Sequence, residues 1–197
     1  MDNNNELKHS IAEHMKRLYD RGLTTARGGN ISCRIDDGML ITPSGVAKYL
    51  LTAEDIIEMD LDGKILNGNH KPSIKYRLHS NIYKSCNEIN AIVHAHSFYT
   101  TLFSIIDKEI NVHLTAEIAK NIGLVGIAPY ATEGTKELAD VVAEIANSRN
   151  VVLMKNHGVI AFGKDLPQAF YRVEVAEQAA KLTYHSFGHS FTTIPAI

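Results

Sequence analysis

No tryptophan occurs in this sequence, only two cysteines do, and no apolar run approaches the ~20 residues that a membrane-spanning helix requires. Cys33 and Cys86 lie far apart and in no C-x-x-C arrangement, which excludes a disulfide scaffold and a cysteine-based metal or redox motif; they read as reduced thiols of a cytoplasmic protein. The opening stretch "MDNNNELKHS" lacks the basic-then-apolar order of a secretory signal. There is no excess of either charge: 20 basic and 22 acidic side chains leave a formal net charge of -2, so nothing favours nucleic acid or an anionic membrane surface as a partner. Repeats, low-complexity segments and linkers are also missing. With 197 residues, 45% of them apolar, the expectation is one domain over residues 1–197.

What the chain does have is regular patterning. "ELKHSIAEHMKRLYDRGL" sets Leu7, Ile11, Met15 and Leu18 at helical spacing, with Gly22 as a stop. "TTARGGNISCRI" brings a glycine pair followed by a short strand pattern, and "GMLITPSGVAKYLL" reads as a strand ending in a Pro-Ser-Gly turn. Thr52 and Asp55 have the spacing of a capping box, and "IIEMDLDGKIL" reads as two strands joined at Asp62-Gly63. Pro72 is expected to open a helix through "SIKYRLHSNIYKS". "INAIVHAH" reads as a strand and "SFYTTLFSII" as a helix. "TKELADVVAEIANS" is a further helix, "NVVLMKNHGVIAFG" a hairpin of buried strands, and "LPQAFYRVEVAEQAAKLTYHSF" a long closing helix. Strands that come in hairpins as well as alternating with helices imply an α/β fold with a mixed or antiparallel sheet between helical layers.

It also has ten histidines. On a strand, His94 and His96 point to one face and Ala95 to the other, with alpha carbons roughly 6.6 Å apart. Imidazoles can converge from that separation onto one ion, although a packed or exposed pair has the same spacing. His157, in "KNHGV" at the bend between two apolar strands, is a third candidate ligand. Three neutral imidazoles around zinc leave a fourth position open, as catalytic sites do. The remaining histidines, His9, His14, His70, His79, His113, His185 and His189, show no such arrangement.

Three short turns interrupt the regular segments: "GGN" at 28–30, "PSG" at 43–45 and "PS" at 72–73. They are ordinary turn chemistry, or places where glycine lets backbone N–H groups reach an anion while Asn and Ser add donors. Ser73 at the amino end of a helix would add the helix dipole.

Taken in order, "GGNIS", "LITPSG", "KPSIKYRLH", "AIVHAH", "APYATEGT" and "NHGVIAFG" resemble the class II aldolase and adducin-head family over about residues 7–185. The resemblance implies a three-layer α/β/α sandwich around a mainly antiparallel sheet, one Zn2+ per subunit held by His94, His96 and His157, and a homotetramer with sites near subunit interfaces. It also implies that Asn30, Ser44, Gly45 and Ser73 hold a substrate phosphate, with Gly29 serving the close approach of the backbone. The implied activity is that of a zinc-dependent lyase acting on a small phosphorylated sugar or hydroxy-ketone, as in L-fuculose-1-phosphate aldolases, with the metal stabilising an enediolate. Decarboxylase, epimerase and dehydratase chemistry remain alternatives, as does a non-catalytic scaffold of the adducin kind.

The resemblance breaks at "PSIK". The family pattern is Pro-Ser-Ser followed by a catalytic acid; this chain has Ile74 for the second serine and Lys75 for the acid. Three readings are open. Lys75 turns into solvent and the usual activity is lost; it works beside the metal as a neutral amine base; or, charged, it holds a substrate carboxylate. Nearby, "NVHLTAEIAKNIG" departs from the small-residue run and tyrosine of relatives, which makes Glu117 a conceivable substitute carboxylate. Tyr99 and Tyr130 are the nearest phenols by motif, and Tyr130 is expected to be structural.

Overall fold

The computed structural model of the chain describes residues 3–36, 38–106 and 108–195. Eight strands form one sheet: β1 (Asn30–Ile35), β2 (Gly38–Ile41), β3 (Ile57–Met59), β4 (Ile65–Asn67), β5 (Ala91–Ala95), β6 (Gly126–Ala128), β7 (Val151–Met154) and β8 (Gly158–Gly163). Their order is β4-β3-β2-β1-β5-β8-β7-β6, and every adjacent pair is antiparallel except β6 with β7. Among the described residues six α-helices cover the two faces: α1 (Asn3–Asp20), α2 (Tyr76–Ser85), α3 (Phe98–Ile105), α4 (Ala116–Ile122), α5 (Lys136–Ala146) and α6 (Leu166–Ser186).

Strands β2, β5, β7 and β8 are buried on both faces, and their two-residue period sorts the side chains into two cores. Ala91, Val93 and Ala95 of β5 join Ile11, Met15 and Leu18 of α1 and Phe170, Val173 and Ala176 of α6. Ile92 joins Leu78 and Ile82 of α2 and Leu138 and Val142 of α5. His94, two residues beyond Ile92, therefore belongs to the α2/α5 face. This is the expected helix–sheet–helix layering. Among the described residues no helix is long and apolar enough to cross a membrane. Both cysteines are buried and free, and burial pushes the Cys33 thiol up to about 12, so it stays protonated and unreactive.

Several local expectations hold. The Thr52 amide and hydroxyl both donate to Asp55 Oδ2, at 2.9 and 3.0 Å. Asp60 Oδ1 accepts from the amides of Asp62 and Lys64, closing the β3–β4 turn at Asp62-Gly63.

Others are corrected. The helix expected from Pro72 begins only at Tyr76. Residues 71–73 remain extended because they pair with the end of β2: Pro43 and Pro72 form a bridge, the Ser44 amide donates to the Lys71 carbonyl, and the Ser73 amide donates to the Thr42 carbonyl. Strand β5 stops at Ala95, its last register partner on β8 being Val159, so His96 lies just past the strand. The elements α4 and β6 were not anticipated, since neither is long enough to show a clear period.

Candidate active site

β5 delivers His94, the residue after its end delivers His96, and the β7–β8 bend delivers His157. The bend approaches β5 closely because of Gly158, whose φ is +153°: a Cβ there would lie 2.6 Å from the Ala95 carbonyl oxygen and 3.1 Å from His96 Cδ2. His94 donates from Nδ1 to the Val159 carbonyl at 2.8 Å, which leaves the lone pair on Nε2. That atom is 3.0 Å from His96 Nε2, and His157 Nε2 is buried with no hydrogen-bond partner among the described residues. One candidate ligand atom from each ring falls within 4.8 Å of the others. Nitrogens on a tetrahedral zinc at ~2.05 Å are separated by roughly 3.3 Å, so the donor set fits a divalent ion with small ring adjustments. Burial lowers the pKa of all three rings, with repulsion between the rings adding at His94; for His157 the value falls to about 4. The imidazoles are thus neutral near pH 7, the form that binds metal.

The anion turns gather at the same end of the sheet. Asn30 pairs in register with His94, is buried, and leaves Oδ1 without a partner among the described residues, as does Thr24 Oγ1. Gly28 and Gly29 press on the histidines, since a Cβ at Gly28 would sit 2.8 Å from His96 Nδ1. Gly45 has φ +78° and open space before it, room for a ligand. The Ser44 and Ser73 amides are consumed by the pairing of residues 42–44 with 71–73. Only their hydroxyls remain, and Ser73 Oγ also accepts from the Lys75 amide at 3.3 Å. Ser73 lies three residues before α2, not at its first turn.

A residue that sequence reasoning missed adds charge here. Lys48 is buried, its amide donates to the Ala26 carbonyl at 2.8 Å and its Nζ to the Pro43 carbonyl at 2.6 Å, so it ties the 24–30 turn to the 43–45 turn. Burial lowers its pKa to about 8. Nothing in the sequence distinguishes it from a surface lysine.

The sequence profile of the class II aldolase and adducin N-terminal domain matches residues 9–184. The chain belongs to this family. It is 42% identical over 176 residues to the L-fuculose phosphate aldolase of Methanocaldococcus jannaschii, covering 89% of this chain and 94% of that one. It is 36% identical over 183 residues to the 5-deoxy-D-ribulose 1-phosphate aldolase of Bacillus thuringiensis, covering 91% and 84%. Among solved structures, YgbL of Escherichia coli, described as a candidate aldolase/epimerase/decarboxylase, superposes with a TM-score of 0.92 at 27% identity over 98% of this chain and 95% of that one. With aldolases on either side of it, the chain is an enzyme of the class II aldolase type.

Against this family background the residues at the "PSIK" departure take on definite positions. Ile74 points outward, 52% exposed. Lys75 does not turn into solvent: its side chain is 5% exposed and its Nζ lies 2.5 Å from Glu133 Oε2. Burial lowers the lysine pKa while Glu133 opposes the shift, and the hydrogen bond and charge of Lys75 hold Glu133 below the usual carboxylate range. The two side chains are thus placed as an ion pair. Glu133 Oε2 is also 3.9 Å from His157 Nε2. The carboxylate near the histidines is therefore Glu133, inside "APYATEGT", and not Glu117, which instead accepts from Tyr171 Oη at 2.5 Å. Tyr130, expected to be structural, is 66% exposed, and the Tyr99 hydroxyl hydrogen bonds with His185 Nε2 at 2.9 Å.

Behind Lys75, one helical turn along α2, lies a wholly buried polar group. Ser32 Oγ meets His79 Nδ1 at 2.6 Å and Tyr83 Oη at 2.7 Å. Burial first, then the charge of Lys75, holds His79 down at about 3 against an ordinary 6.5. The unfolded chain thus takes up a proton below pH 6.5 that the folded chain refuses until the pH nears 3. Stability contributed by this group is complete above pH 6.5 and falls as the pH drops, by about 3 kcal/mol at pH 4.5. Urea midpoints recorded from pH 7.5 to 4.5 are expected to decline, and His79→Gln to decline less steeply; parallel slopes for the two proteins would remove His79 as the cause.

Proposed function

We propose that the protein is a divalent-metal lyase that breaks a carbon–carbon bond in a small phosphorylated ketose or hydroxy-ketone, with zinc as the metal. The observation that carries this reading is the convergence of three neutral imidazoles, His94, His96 and His157, with one nitrogen orphaned and no fourth side chain closing the set among the described residues. A divalent ion held there supplies Lewis acidity toward the oxygens of a ketone and its neighbouring hydroxyl, and favours the electron-rich fragment left by bond cleavage. The chain's own part is placement. Asn30, Ser44, Gly45 and Ser73 bind the phosphate, Lys48 adds positive charge beneath the 43–45 turn, and distance from that anchor fixes which bond faces the histidines. The relatives named for L-fuculose phosphate and 5-deoxy-D-ribulose 1-phosphate support a phosphorylated sugar without choosing between them. Phe98 at the start of α3 and Phe187 and Phe191 beyond the end of α6, all exposed, suit the subunit contacts of a homotetramer. A scaffold role has no use for a converging cluster of three neutral imidazoles.

Two measurements test this. Elemental analysis of the purified protein is expected to find one divalent ion per chain. A panel of ketose 1-phosphates is expected to be cleaved by the zinc-loaded protein and not by His94→Ala. A protein that binds no divalent ion at micromolar concentration would end the proposal.

A further inference from the structure

Lys75 and Glu133 meet from unlike surroundings. The lysine is held between the strand-like 71–73 segment and the first turn of α2, and its side chain is 5% exposed; Glu133 sits on the irregular stretch between β6 and α5 with its side chain 58% exposed. A buried ammonium is costly unless an anion neutralises it. The anion that does so is mostly solvated and gives up little by withdrawing into water, as exposed ion pairs do. Glu133 is thus the exchangeable member of the pair. Its Oε2, 2.5 Å from Lys75 Nζ and 3.9 Å from His157 Nε2, marks a carboxylate position between the lysine and the histidine cluster.

We propose that Glu133 occupies the place of a substrate carboxylate, that this carboxylate displaces it, and that Lys75 is the residue that selects for it. The substrate class is then a small phosphorylated hydroxy-ketone that also carries a carboxylate, that is, a phosphorylated oxo-acid. This rests on the reading above that the site holds a phosphorylated compound at a metal, and narrows it. A neutral ketose has no group able to replace Glu133 on a buried ammonium, because hydroxyls leave its charge uncompensated; an acid does, and charge-assisted hydrogen bonds are the stronger kind.

Titration calorimetry on the zinc-loaded protein with glycolate, 2-phosphoglycolate and dihydroxyacetone phosphate separates the two parts. 2-Phosphoglycolate is expected to bind about ten- to hundredfold tighter than dihydroxyacetone phosphate. Lys75→Met should erase that preference, and Glu133→Gln, by removing the competing carboxylate, should strengthen 2-phosphoglycolate binding while leaving dihydroxyacetone phosphate unaffected. Equal affinity for the two phosphates, or a preference that survives Lys75→Met, overturns the inference and leaves the phosphate site standing. Lys75-dependent binding of glycolate as tight as that of 2-phosphoglycolate supports the inference and overturns the phosphate pocket. Should Lys75→Met fail to fold, Glu133→Gln decides: weaker binding of 2-phosphoglycolate in that variant overturns the displacement.

Discussion

Replacing His157 with alanine is expected to abolish stoichiometric metal binding and to lower turnover by at least about 10³-fold, since Lewis-acid stabilisation is worth several kcal/mol. Of the three rings this is the most informative to remove. His94 is wholly buried, and its Nδ1 hydrogen bond to Val159 supports the β5–β8 pairing, so truncation there disturbs the sheet as well as the site. The His157 side chain is 15% exposed, and its Nε2 has no partner among the described residues. Its amide bond to the Met154 carbonyl is made by the backbone and survives truncation. The metal-free variant should therefore unfold at nearly the same temperature as the metal-free parent, while zinc is expected to raise the parent's melting temperature and not the variant's. Full turnover in His157→Ala, or zinc stabilisation equal to that of the parent, would count decisively against the histidine site.

Gly29→Ala is expected to lower kcat/KM by about 10²-fold, the scale on which an ångström of misplacement costs activity. Gly29 has φ +70°, and a methyl group there would lie 2.7 Å from the His94 carbonyl oxygen and 3.0 Å from Thr24 Oγ1. The carbonyl is backbone, so the 24–30 turn has to move, carrying Asn30 away from its register with His94. The left-handed conformation adds about 1–2 kcal/mol of strain for any side chain. Because the turn carries Asn30, proposed to hold the phosphate, and abuts the strand that bears His94, both KM and kcat should worsen, and metal content should stay at one ion per chain. A variant with the parent's kinetics would show that the turn does not position the substrate. Gly45→Ala is the natural contrast: its φ is also positive, +78°, but nothing lies within 4 Å of the added methyl, so the effect should fall on KM through lost ligand space.

Much of the molecule was legible before any coordinates. Leu7, Ile11, Met15 and Leu18 spell out α1, and alternation assigns β5 and its two faces, because burying one face of a regular element imposes a period on the residues. The capping residues Thr52 and Asp55 were readable for the same local reason. Where local signals compete with pairing across the sheet, sequence reasoning went astray. Pro72 looks like a helix opener, yet residues 71–73 are drawn into hydrogen bonds with residues 42–44, which leaves Ser73 outside the first turn of α2. The brief α4 and β6 escaped notice because seven and three residues hold too few turns or alternations to register.

The sequence by itself determined the family, the layering of helices on a mostly antiparallel sheet, and the candidate ligands, since these depend on residue type, period and short-range spacing. Tertiary structure alone decided that the His157 ring meets the other two, that Lys48 braces two distant turns, and that Lys75 faces Glu133. Those last two residues stand 58 positions apart, and no local pattern links them. Only the packing of α2 against the stretch before α5 brings a buried ammonium and a solvated carboxylate to one point, and what a buried charge accepts as its partner is settled by the space around it.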